Sequence, residues 1–91
     1  MKRLPKIGER VRYRSSYQRP WEEAPRELLG TVRKLYPGYE GDSLRPMAIG
    51  SPGWAEHWSA SVEVDAPLPA WWSYQGTNLF APSISELESV K

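Results

Sequence analysis

The chain has no cysteine, which excludes a disulfide framework and thiolate metal ligation, and with them the small secreted scaffold stapled by bridges. A cytoplasmic setting is the expectation. It also lacks long apolar runs: the basic start from Met1 to Arg14 is not followed by an apolar stretch, and no segment approaches the ~20 residues of a membrane span. Neither a signal peptide nor a membrane partner is expected. With one histidine and one phenylalanine, the chain is short of both ordinary titrating groups near neutral pH and the commonest aromatic core filler.

Uninterrupted helical periodicity is missing as well. Nine prolines and seven glycines are spread from Pro5 to Pro82, which excludes a helical bundle. Glu22 to Leu29 has room for a turn or two of helix between Pro20, Pro25 and Gly30. No phosphate loop, dinucleotide fingerprint, nucleophile elbow or Cys/His dyad is present. His57, beside Glu56 and between Trp54 and Trp58, stands without the convergent groups that a metal or general acid–base chemistry needs. No catalytic residue, metal or cofactor is assigned.

What is present describes one small folded domain spanning 1–91. Hydrophobic residues are 40% and charged residues 25% of the chain, ordinary for a globular protein, although a domain of this size buries only about 60–65% of its unfolded surface. The net charge of +1 is unevenly placed. Lys2, Arg3, Lys6, Arg10, Arg12, Arg14 and Arg19 fall in the first 20 residues, with Glu9 as their only acid.

Strand signals dominate. Val11 and Tyr13 alternate with Arg10, Arg12 and Arg14 over Glu9 to Arg14, the pattern of a half-buried strand. Leu28 to Tyr36 reads as a second strand, with Gly30 marking a bend or bulge. In Ser59 to Asp65, Val62 and Val64 alternate with Ser61, Glu63 and Asp65. Two long connections, about a dozen residues between Arg14 and Leu28 and the segment from Pro37 to about Glu56, are expected as loops. Ala66-Pro67-Leu68-Pro69 breaks pairing, Trp71 to Tyr74 reads as an extended aromatic run, and Gln75 to Asn78 turns the chain into Leu79-Phe80. Ser83-Ile84-Ser85-Glu86 has capping-box spacing, which predicts a short helical or 3₁₀ turn before a last strand over Leu87 to Val90.

Ile7-Gly8-Glu9-Arg10-Val11-Arg12-Tyr13, then Leu29-Gly30-Thr31-Val32, Val62-Glu63-Val64-Asp65 and the stretch from Pro82 through Glu86-Leu87-Glu88 together resemble the SH3-like small barrels of bacteria. The first two motifs are similar to those of KOW-type domains and of the barrel in the β subunit of nitrile hydratase. The resemblance implies a mostly β, five-stranded barrel with two long loops and a 3₁₀ or helical turn before the closing strand. Such barrels host many unrelated functions, so function must come from a site.

Two constellations offer one. The chain holds five Trp and five Tyr, residues whose large apolar faces and polar handles suit a partner-binding groove. Trp21, Tyr39, Trp54, Trp58, Trp71 and Trp72 are the candidate partner-binding residues, and the alternative is that these rings fill the core. Adjacent Trp71 and Trp72 would face opposite ways on a strand. Arg10, Arg12 and Arg14 recur about 6.6 Å apart, a spacing that follows a phosphate backbone but serves equally to protect a sheet edge. The reading is a non-catalytic protein-interaction module, accessory or regulatory, of phage or mobile-element origin, acting as a monomer or weak homodimer. Nucleic-acid binding through the arginine face and exposed rings is the alternative.

Overall fold

The computed structural model describes residues 3–15, 26–41, 44–72 and 76–90. Within them lie five strands, β1 (Arg10–Arg14), β2 (Glu27–Tyr36), β3 (Ser59–Val64), β4 (Leu79–Phe80) and β5 (Leu87–Ser89), with a one-turn helix α1 (Trp54–His57) and a 3₁₀ turn over Ile84–Glu86. The strands form one antiparallel sheet in the order β4-β3-β2-β1-β5. The protein is mostly β, with the 3₁₀ turn immediately before the last strand.

Alternation explains the core. Val11 on β1, Leu28 and Val32 on β2, Ala60, Val62 and Val64 on β3 and Leu87 on β5 all turn to one face and are buried. Ile84, from the 3₁₀ turn, and Trp54, from α1, close that core from outside the sheet. Each buried valine, leucine or isoleucine removes apolar area from water at a gain of about 1.5–3 kcal/mol.

The sheet is rolled. Ser83 bridges to Ser59 on the β4 side of β3, and Leu87, four residues later, pairs with Tyr13 on β1. In a flat sheet the β4 and β5 positions would lie about 19 Å apart at normal strand spacing, whereas four residues reach at most about 14 Å. The two edges are drawn towards each other, yet no ladder joins β4 to β5 among the described residues. The expected barrel is therefore an open one. Its closing elements are too short to pair, with two residues in β4 and three in β5.

Other expectations change in detail. Gly30 is not the bulge: the register runs regularly past it and slips between Val32 and Lys34. Its role is close approach, because a Cβ there would lie 2.5 Å from the Glu63 carbonyl oxygen and 2.6 Å from Val62 Cγ1. Glu27 to Leu29 is strand rather than the end of a helix, since burial of Leu28 between exposed neighbours needs a period of two; the rest of that proposed helix, residues 22–25, lies outside the described residues. The Pro37 to Glu56 loop ends in helix, because Trp54 inserts into the core and the Trp58 amide donates to the Trp54 carbonyl at 2.9 Å. Gly38 lets this connection lie flat against that helix, a Cβ there falling 2.4 Å from the His57 carbonyl carbon.

Ser83 does not complete a capping box. Its hydroxyl meets Ser85 Oγ at 2.8 Å and donates to Glu86 Oε1 at 3.3 Å, while the Glu86 amide donates to the Ser83 carbonyl at 3.1 Å. No helix among the described residues is long and apolar enough to cross a membrane.

Candidate partner-binding groove

The site begins where β3 ends. Ala66-Pro67, a cis peptide, carries the chain off the sheet, and Pro67 and Pro69 have no amide to donate to a ladder. At Trp71 and Trp72 the expected extended run is accordingly replaced by a turn, in which the Trp72 amide donates to the Pro69 carbonyl at 3.0 Å; Ser73 and Tyr74 lie outside the described residues. The turn changes what the tryptophan pair does. Instead of pointing to opposite faces, Trp71 and Trp72 stand with ring centres 6.4 Å apart, tilted by 50°.

Trp72 is half-buried and fixed by its indole N–H, which donates to the Thr77 carbonyl at 3.0 Å. Its ring meets Phe80 of β4 edge-on at 5.5 Å, and Phe80 meets Tyr13 of β1 edge-on at 4.9 Å. Edge-to-face contacts of this kind add about 0.5–1.5 kcal/mol beyond burial. A continuous line of rings, Tyr13, Phe80, Trp72 and Trp71, thus runs from core to surface.

These rings, with Leu28 beneath and Ser15 and Arg26 at the side, line a groove of about 160 Å³. Arg26 places its guanidinium carbon 4.8 Å from the Trp71 ring centre, a cation–π contact that orders the outermost ring. Trp71 remains exposed. The groove has room for one ring-sized group, and Arg26 stands at its lip.

The remaining candidates divide. Trp54 is a core residue, only 7% exposed, and is corrected from binding residue to structural anchor, because its ring fills the volume beside Ile84 that the small valine and alanine side chains of the sheet leave. Trp58 is half-buried against the same core and donates its indole N–H to the Met47 carbonyl at 3.0 Å. Tyr39 is exposed and bridges to Pro46. Neither lines the groove. Trp21 lies outside the described residues.

The arginine ladder is on the outer face, as alternation requires, and carboxylates engage each member. Arg10 makes a two-pronged contact with Asp65, Nη1 donating to Oδ1 at 2.8 Å and Nη2 to Oδ2, and also donates to Thr31 Oγ1 at 3.0 Å. Arg12 pairs with Glu88 at 3.0 Å and Arg14 with Glu27 at 3.1 Å, while neighbouring Arg33 pairs with Glu63 at 2.6 Å. The hydrogen bond from Arg10 holds the Asp65 carboxyl below the usual carboxylate range. The face is charge-compensated row by row.

Glu9 supports the same end of the molecule from within. Arg3 grips it with two hydrogen bonds of 2.9 Å, the Lys6 amide and Ser89 hydroxyl donate to it at 3.1 and 2.8 Å, and its carboxyl is pulled down to about 2, chiefly by Arg3. This clasp ties the chain before β1 to the end of β5.

The sequence singled out Trp71 and Trp72 but missed Tyr13, Ser15, Arg26, Leu28 and Phe80. Tyr13 and Phe80 carry a signal in retrospect, as large aromatics on the inward parity of short strands. Arg26 has none, since its position depends on a turn that only the fold creates. Comparisons with known protein families, with curated proteins and with solved structures find no match.

Proposed function

We propose that this chain is a non-catalytic protein-interaction module on an open, SH3-like barrel, and that it holds a peptide segment of its partner in the groove between β1, β4 and the Trp71-Trp72 turn. One observation carries the reading: a line of four aromatic rings leads from the core to an exposed tryptophan beside a preformed concavity. Interface anchors are enriched in tryptophan and tyrosine, and they act through pockets that exclude water. A cytoplasmic setting accords with the lack of cysteine.

The other reading, nucleic-acid binding, asks the outer arginines to neutralise phosphates. Those cations already face Asp65, Glu88 and Glu27, so phosphate would have to displace intramolecular carboxylates. The groove supports the peptide reading better.

Selection of a displayed random-peptide library against the intact protein tests it. Binders are expected that lose at least tenfold in affinity on Trp71→Ala. A library whose binders are indifferent to Trp71→Ala and Trp72→Ala contradicts it.

A further inference from the structure

Building on the peptide reading, we infer that the partner segment binds as an added strand: it pairs through its backbone with the open edge of β4, and its residue opposite Phe80 turns one large apolar side chain into the groove.

Parity on β4 defines the edge. The Val64 amide donates to the Asn78 carbonyl at 2.8 Å and the Ala60 amide to the Pro82 carbonyl at 3.1 Å, with Val62 opposite Phe80 between them. Alternate residues of an antiparallel strand bond to opposite sides, so Leu79 and Ala81 direct their backbone groups away from β3. The Leu79 amide is taken by Thr77 Oγ1 at 3.1 Å. The Leu79 carbonyl, the Ala81 amide and the Ala81 carbonyl are left without a partner among the described residues. Leu79 and Ala81 are both exposed. Two acceptors around one donor on an exposed edge form a template for another strand.

The edge adjoins the groove. Phe80 pairs with buried Val62 and faces inward, where it forms a wall of the groove, while Leu79, opposite Glu63, faces out. Tyr13, also a groove wall, belongs to β1, across the opening where no ladder joins the ends of the sheet among the described residues. A strand laid along β4 enters that opening. Its side chains alternate as those of β4 do, so the one opposite Phe80 points to the groove and its two neighbours point out beside Leu79 and Ala81. Main-chain bonds then supply affinity, and the groove supplies specificity for a single side chain.

The occupant is an extended peptide rather than a second copy of this chain. The edge from Leu79 to Ala81 spans only about 10 Å. Two such edges pairing with each other would match about three residues a side, against the roughly 20–30 a side of a stable interface. A peptide needs only the edge and the adjoining groove.

Two measurements on a Trp71-dependent binder from the random-peptide selection separate this inference from the reading on which it rests. Ala81→Pro removes the edge donor at a position whose amide faces away from the ladder, where proline is tolerated. It is expected to weaken binding about tenfold, the cost of leaving a peptide carbonyl unpaired. On the wild-type protein, N-methylation of the peptide one residue at a time is expected to weaken binding about tenfold at every second position around the anchoring side chain and little between them. If Ala81→Pro binds as wild type does, or the N-methyl losses do not alternate, while Trp71→Ala still weakens binding, strand addition is wrong and the groove stands. If no binder is sensitive to Trp71→Ala, groove and strand addition fall together. A dimer in sedimentation that Ala81→Pro dissociates would assign the edge to a second copy and overturn the inference. Thermal unfolding of Ala81→Pro, unchanged to within a few degrees, shows that its loss is not a loss of fold; where that variant is less stable, the N-methyl pattern on the wild-type protein decides.

Discussion

Tyr13 and Phe80 meet edge-to-face at 4.9 Å, although they belong to β1 and β4, which are separated in the sheet by both β2 and β3. In a flat sheet those strands would be about 14 Å apart. The contact is the packing counterpart of the rolled backbone, and it makes the inner wall of the groove. Fold and site therefore share a residue. Phe80→Ala should cost roughly 2–3 kcal/mol, since the ring is half-buried and the large-to-small range for phenylalanine applies with a discount, and should abolish peptide binding. Phe80→Leu should restore most of the stability and little of the binding. Urea unfolding and peptide titration on the two variants separate the effects.

Gly30 on β2 has no room for a side chain. An added methyl would press on the Glu63 carbonyl of the neighbouring strand at 2.5 Å, and a ladder carbonyl cannot move away without losing its register. Gly30→Ala is expected to destabilise by about 2–4 kcal/mol, at or above the usual cost of overpacking, measured as a lower urea midpoint.

The outer face should contribute little to stability despite its order. Exposed ion pairs are worth about 0–1 kcal/mol each. The triple change of Arg10, Arg12 and Arg14 to alanine should therefore lower the urea midpoint only slightly and leave peptide binding intact. The same protein offers a check on the nucleic-acid reading: wild type should show no steeply salt-dependent binding to labelled single- or double-stranded DNA or RNA. Strong low-salt binding that vanishes in the triple variant would reverse the preference between the two readings.

Glu9 predicts a pH dependence. Its folded carboxyl titrates at about 2, below its ordinary value of 4.5, mainly through the hydrogen bonds from Arg3. A depressed folded value means that the stabilisation is fully present above the unfolded value and is lost as pH falls from about 4.5 towards 2. Asp65 is shifted in the same direction by Arg10. Chemical unfolding as a function of pH should show stability declining across this window, and Glu9→Gln should flatten the decline while lowering stability at neutral pH.

Alternation made the strands legible in the sequence. Val11 with Tyr13, and Val62 with Val64, identify faces without further information, because a period of two allows only one buried set. Leu87 beside Glu88 gave the closing strand for the same reason: the first is buried and the second pairs with Arg12. The site was less legible because it arises from departures from period. Pro67 and Pro69 were read as breaking pairing, but not as setting the turn that puts Trp71 and Trp72 on the same groove. Trp54 is not legible as a core residue because composition gives the number of rings, not which one a one-turn helix will push into the core. The charge compensation of the arginines was hidden in sequence distance, since Arg10 and Asp65 are 55 residues apart and meet only through the pairing of β1, β2 and β3.

The most direct test is a two-dimensional ¹H–¹⁵N spectrum of the intact protein titrated with the best peptide from the random-peptide selection. The indole N–H signals of Trp71 and Trp72 and the backbone amides of Tyr13, Leu28 and Phe80 should shift together and saturate, while those of Arg12, Leu29 and Glu63 on the outer face stay in place. Shifts confined to the outer face, or an unchanged groove at saturating peptide, would contradict the account.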